Sequence, residues 1–161
     1  MKIALSINVA SSLWRGLPGA RALARETIAA AVAEIPLAPE GEGEVSLRLA
    51  DDAKLRALNL RWRGVDRPTN VLSFPSAPGR LAQSVPLGDI ALAYETLARE
   101  ADQLGAPLAD HYRHLVAHGF LHLIGYDHET DEEAERMEAL EARIMTRLGA
   151  ADPYAREAAE A

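Results

Sequence analysis

The sequence contains no cysteine. Disulfides, iron–sulfur clusters and thiolate zinc sites are therefore excluded, and any metal must be held by histidine or carboxylate. No stretch approaches the roughly 18 consecutive apolar residues that a membrane-spanning helix needs. Internal repeats and low-complexity linkers are also absent. What is present is 161 residues, 17.4 kDa, 48% hydrophobic and 25% charged. That is the composition of an ordinary globular protein and the size of one domain, long enough to bury a core without staples.

The net charge of −7 is unevenly placed. Residues 127–161 hold eleven acids and four bases, while the preceding 126 residues hold thirteen of each. The acidity therefore belongs to one C-terminal helix and tail, and it does not exclude a polyanionic substrate. The segment Met1–Ser12 has the outline of a signal peptide. Yet Ile3, Leu5, Ile7 and Val9 recur at period two, the pattern of a strand, so the chain is expected to be cytoplasmic.

The expected order is strand, helix, strand, helix, strand, strand, then three helices. Strands are read over 2–8, 44–49, 70–74 and 89–93. Helices are read over 21–34, from an Asp51 cap to about Arg61, over 94–104, and from Pro107 onward. Ser76–Pro86 is expected to be a loop. The last helix opens on the capping box Thr130 and Glu133, carries the stripe Met137, Leu140, Ile144 and Leu148, and ends at Gly149. The expected fold class is α+β: a single domain over residues 1–149, with a small mixed four-stranded sheet packed with about five helices. Residues 150–161 are expected to fray.

All five histidines lie between 111 and 128. In a helix at roughly 100° per residue, His111, His114, His118 and His122 fall within about 80° of one another, with Val116, Phe120, Leu123 and Ile124 opposite. His118 and His122 stand one turn apart and can reach one metal ion. Gly125 can take a left-handed conformation, end the helix and return His128 to the same ion. Three imidazoles with an open fourth position make a catalytic zinc geometry. His111 and His114 are read as supporting or surface groups. The spacing H-x-x-x-H-x-x-G-x-x-H is that of metzincin proteases, except that Gly119 stands where they carry the glutamate base. Peptidase chemistry would lack its proton acceptor.

Residues 54–67 hold Lys54, Arg56, Arg61, Arg63 and Arg67 against one acid, Asp66. Arginine suits forked contacts with phosphate. Trp62 within this stretch is expected to be a core residue or a lid. Asp89 and Asp127 are not expected to be catalytic, Asp127 serving to cap a turn. Ser73 could hydrogen-bond near the metal.

Three motifs together, R-G-V-D-R-P-T-N-V-L-S-F-P at 63–75, L-G-D-I at 87–90 and H-G-F-L-H-L-I-G-Y-D-H at 118–128, resemble the YbeY family of bacterial endoribonucleases, or rRNA maturation factors. The resemblance spans about residues 2–148. It implies that His118, His122 and His128 bind one Zn2+ and that Arg63 is the functionally required arginine. Arg61, Arg63 and Arg67 are then the candidate nucleic-acid contacts. It also implies single-stranded RNA and ribosomal RNA as substrate, with ribosomal subunits as partners; no DNA and no membrane partner is expected, and the chain is expected to be a monomer or weak oligomer. A metal and a guanidinium can share the charge that a phosphodiester develops in its transition state. Either water or the RNA 2′-OH could attack. Two other readings stand beside this one. One is a zinc hydrolase of peptides or other esters. The other is a ribosome-assembly factor with a structural metal, for which His114 or Asp127 would be a fourth ligand.

Overall fold

Ile3, Leu5 and Ile7 pack inward while their neighbours face solvent, and this alternation forms β1, Lys2–Val9. The computed structural model describes residues 2–35, 41–76 and 86–155. β1 pairs in parallel with β2, Glu42–Ala50, placing Leu5 beside Val45 and Ile7 beside Leu47. Parallel neighbours need a crossover. Here it is a 3-10 turn, Ser12–Gly16, followed by helix α1, Ala20–Glu34. Helix α2, Asp52–Arg63, leads to the short strand β3, Val71–Pro75. β4, Pro86–Ala93, pairs in parallel with β2 and antiparallel with β3, so the order is β1-β2-β4-β3. The helices α3, Tyr94–Leu104, α4, Leu108–Leu123, and α5, Asp131–Arg147, complete a single α+β domain of five α-helices. Among the described residues no helix is long and apolar enough to cross a membrane.

Three boundaries differ from expectation by two residues or more. β2 starts two residues earlier and β4 three residues earlier, because paired backbone continues beyond the alternating side chains. α2 runs on to Arg63, where Gly64 ends it. Most of the expected loop, residues 77–85, lies outside the described residues.

The helix starts explain how the pieces lock together. Asp51 accepts from the Lys54 N–H at 2.9 Å, and Thr130 accepts from the Glu133 N–H at 3.1 Å. α2 and α3 cap each other. Glu95 accepts from the Asp52 N–H at 2.9 Å, while Asp52 accepts from the Thr96 N–H and hydroxyl at 3.1 and 2.6 Å. One sheet face is covered by α1 and α4 over Val45, Leu47, Leu49, Ile90 and Leu92. The other is covered only in part, by α2 over Ala50, Leu72, Ala91 and Ala93. The sheet's outer strand β1 is dressed by α1: Arg21 donates to the Ile7 carbonyl at 3.0 Å and Arg25 to that of Leu5 at 3.4 Å.

α4 is the central element. It lies against the sheet, α1, α3 and α5, and buries Tyr112, Val116, Phe120, Leu121 and Leu123. Each such side chain contributes about 2 kcal/mol by leaving water. Gly119 is the point of closest approach. A Cβ there would lie 3.0 Å from Ile90 and 3.1 Å from the Ser73 hydroxyl, which itself donates to the Gly119 carbonyl at 3.2 Å.

Gly88 has a φ of +144°, sits opposite Pro75 across the β3–β4 pair, and has the Phe74 carbonyl against the place a Cβ would occupy. Gly88→Ala is expected to cost about 3 kcal/mol, because strain and overlap add. Gly149→Ala, at a positive φ in open space, is expected to cost only about 1 kcal/mol. Urea unfolding of both variants checks the difference; equal losses would mean that the β3–β4 approach is not tight.

Candidate metal centre and basic pocket

His118 and His122 stand one turn apart on α4, both partly buried. Gly125, at φ +106°, then reverses the chain. Its N–H donates to the His122 carbonyl at 3.2 Å, and the Tyr126 N–H donates to the Leu121 carbonyl at 3.0 Å. This pair of bonds requires a residue in the left-handed region at the reversal, which glycine supplies without steric cost. Asp127 accepts from the His128 N–H at 2.8 Å. It shapes the turn that presents His128, in the capping role expected of it.

One ring nitrogen from each of His118, His122 and His128 lies within 4.8 Å of the others. The Nε2 atoms of His118 and His122 are 3.1 Å apart. Two ligands about 2.05 Å from a tetrahedral zinc are separated by about 3.3 Å, so this donor set fits one ion. Burial pushes the pKa of His122 down, and the neighbouring His118 and His128 push it further, against the weaker pull of Asp127 and the Tyr126 backbone. The neutral imidazole that results is the form that binds metal. Among the described residues the converging group comprises these three side chains, with neither His114 nor Asp127 joining it.

The residue that sequence reasoning missed is Glu141. It is 1% exposed, on α5, and its Oε1 lies 2.6 Å from His118 Nδ1 and 3.4 Å from His114 Nε2. Its Oε2 accepts from the Tyr154 hydroxyl at 2.5 Å. A signal did exist: position 141 lies four residues after Met137 and three before Ile144, on the apolar stripe, where an acid is costly without partners. Tyr154 falls in the stretch expected to fray. There its N–H donates to Asp152 at 2.8 Å, and its hydroxyl lies 3.3 Å from His114 Nε2.

Arg63, the last residue of α2, lines a pocket of about 490 Å³ with Asn59, Arg67, Thr69, Asn70 and Glu100. Asn70 donates to both Glu100 oxygens, at 2.9 and 3.2 Å, and Glu100 meets His111 Nε2 at 2.9 Å. Burial pushes the Glu100 carboxyl up, but hydrogen bonds from His111 and Asn70 outweigh it and hold the pKa below its usual value. Since His111 lies on α4, the pocket wall and the three-histidine group share one helix face. Asn59 is 3% exposed and donates to the Arg67 carbonyl at 2.9 Å, while its Oδ1 has no partner among the described residues.

The basic stretch divides. Arg56 forms two bonds to Asp66, at 2.7 and 3.2 Å, and fastens the loop to α2. Among the described residues Arg61, Arg63 and Arg67 are in no ion pair. The expectation of Trp62 as a core residue is corrected: it is 61% exposed. Trp62 is seven residues after Leu55 and shares its helix face, but it stands in the last turn of α2, 6.2 Å from the Phe74 ring and under the Arg61 guanidinium. Asp89 lies in a cleft with Arg48 and Trp62. Strand alternation puts it opposite Ile90, which packs on Gly119, so it faces away from the histidines. The same packing at Gly119 leaves no room for the metzincin glutamate.

The Glu141 contacts also fix an acid response. Burial raises the pKa of this carboxyl, but hydrogen bonds and charge from His114 and His118 outweigh burial and bring it from 4.5 to about 2. A depressed carboxylate pKa gives stability that is fully present above the unfolded value and lost as pH falls through the folded one. Metal-free protein is therefore expected to lose stability between pH 4.5 and about 2, and Glu141→Gln to lose less over that range. Denaturant midpoints at stepped pH check this. Parallel curves for the two proteins would refute it.

A family profile described as "Endoribonuclease YbeY" matches residues 17–149. The Endoribonuclease YbeY of Bradyrhizobium sp. strain BTAi1 is 50% identical over 154 residues, covering 92% of this chain and 90% of the relative. That of Methylocella silvestris is 48% identical and covers 96% and 87%. A solution structure from Thermotoga maritima superposes with a TM-score of 0.53 at 25% identity, over 91% of this chain and 90% of that one.

Proposed function

The chain belongs to the YbeY family of endoribonucleases, and we propose that it cuts single-stranded RNA during ribosomal RNA maturation, in the cytoplasm, with Arg63 beside a metal held by His118, His122 and His128. The observation that carries this reading is the donor count. Three imidazoles converge and no fourth protein donor joins them among the described residues. That leaves a position for substrate, as catalytic sites do, and it favours the enzyme over the assembly factor with a closed structural site. Zn2+ is the ion assigned, on the strength of three nitrogen donors at this spacing. When bound, the ion supplies Lewis-acid stabilisation of charge at a phosphoryl oxygen.

The chain's own groups do the rest. Arg63 offers a forked set of N–H donors to the non-bridging oxygens, whose charge grows as the phosphorus becomes five-coordinate. Arg61 and Arg67 hold the RNA backbone in register, since neither is tied up by an acid. The Glu100 carboxylate and Asn70 stiffen the pocket that Arg63 lines. Ribosomal RNA within ribosomal subunits is the substrate assigned, and the protein is taken to act as a monomer or weak oligomer. Gly119 leaves no chain carboxylate at the position where peptidases keep theirs.

The test is cleavage of an end-labelled single-stranded RNA by zinc-loaded protein. Arg63→Ala is expected to lower kcat by about 10²–10³-fold while keeping its zinc. His128→Ala is expected to lose both zinc and activity. If parent and variants cut alike, the activity is a contaminant. If none cuts although the parent binds RNA, the assembly factor becomes the better reading. Product ends decide the nucleophile: a 5′-phosphate for water, a 2′,3′-cyclic phosphate for the 2′-OH. A separate measurement concerns affinity. Arg67→Ala is expected to weaken RNA binding similarly for all sequences and to reduce the slope of log K against log salt by about 0.7. An unchanged slope would remove Arg67 from the phosphate contacts.

A further inference from the structure

We propose that Tyr154, in the segment after α5, and the buried Glu141 act together as a clamp that sets the orientation of His118 and thereby the affinity of the three-histidine group for its metal. The inference rests on the reading of that group as the metal site, and it assigns a positioning role to two residues outside it. Both lie away from the histidine motif in sequence, and Tyr154 lies beyond the residues that the family profile matches.

The geometry carries the argument. An imidazole that binds metal through Nε2 must be protonated at Nδ1, and a carboxylate accepting from Nδ1 fixes both the tautomer and the ring plane. Glu141 Oε1 lies 2.6 Å from His118 Nδ1. His118 Nε2 is thereby turned toward His122 Nε2, 3.1 Å away. Glu141 must itself be held. It is 1% exposed, and a buried carboxylate with one partner would retain an unsatisfied oxygen. Tyr154 supplies that bond, donating its hydroxyl to Oε2 at 2.5 Å. His114 completes the pocket, with Nε2 3.4 Å from Glu141 Oε1 and 3.3 Å from the Tyr154 hydroxyl. The Tyr154 and His114 rings meet edge to face with centroids 5.5 Å apart. Asp152 sets the turn that delivers Tyr154 by accepting from its N–H at 2.8 Å. Each oxygen of Glu141 is thus assigned, one to the imidazole and one to the phenol.

The experiment uses the full chain, Tyr154→Phe, Glu141→Gln and the double variant. Zinc affinity is measured by competition with a chelating indicator, and the His118 tautomer by long-range proton–nitrogen NMR of the metal-free protein. Glu141→Gln is expected to weaken zinc binding about 10–100-fold and to shift His118 from the Nδ1–H toward the Nε2–H tautomer. Tyr154→Phe is expected to weaken binding about 3–10-fold and to lower the melting temperature of the metal-free chain by a few degrees, because Glu141 Oε2 loses its donor. The double variant is expected to match Glu141→Gln, because Tyr154 acts only through Glu141. If the parent binds zinc and Tyr154→Phe binds it equally well, the clamp is overturned. Additive losses in the double variant would overturn the coupling. If the parent itself binds no zinc, the metal reading fails, and the clamp with it.

Discussion

Everything in this domain depends on how closely α4 approaches the sheet. At Gly119 the helix backbone comes near enough that the Ser73 hydroxyl reaches a helix carbonyl and Ile90 fills the space a side chain would take. That contact fixes the rotation of the helix about its axis. With Val116, Phe120 and Leu123 committed to the core, His111, His114, His118 and His122 have only one side left to face. The approach also decides the chemistry, because the position where a peptidase carries its glutamate is filled by packing. Proton transfer must then be organised by other groups.

A helix enclosed by a sheet and three other helices has little solvent with which to satisfy polar side chains, so its histidines recruit partners. His111 takes Glu100 from α3, and His118 and His114 share Glu141 from α5. Each carboxylate is anchored a second time, by Asn70 or by Tyr154. The outcome is a histidine face on α4 held by side chains from four other parts of the chain. Asn70 also accepts from the Val71 N–H and, through its carbonyl, from that of Ala93. The same side chain therefore starts β3, aligns it with β4 and braces the wall of the Arg63 pocket.

Much of this was legible in the residues. Element order followed from periodicity and caps, since Asp51, Thr130, Gly105 and Gly125 are local signals that act where they stand. The three-histidine group was legible because its members are clustered in sequence and helix geometry converts spacing into position. Glu141 was not: what makes it part of the site is α5 packing on α4, a tertiary event with no local mark beyond an acid on an apolar stripe. Trp62 misled for the opposite reason. Seven residues after Leu55, it does share the inward face of α2, but it stands in the last turn, where it remains 61% exposed. Arg56, one of the five bases counted in that stretch, is the partner of Asp66.

The two arginines of α1 that reach over to β1 have a consequence of their own. An outer strand presents bare carbonyls that could template another polypeptide, and the carbonyls of Leu5 and Ile7 are already taken by guanidinium groups. At the far side of the sheet, β3 is short and ends on Pro75, which has no N–H to offer. Neither margin therefore invites a neighbour to extend the sheet. A polypeptide arriving at either margin would meet guanidinium groups or a proline in place of a continuous row of bare backbone groups.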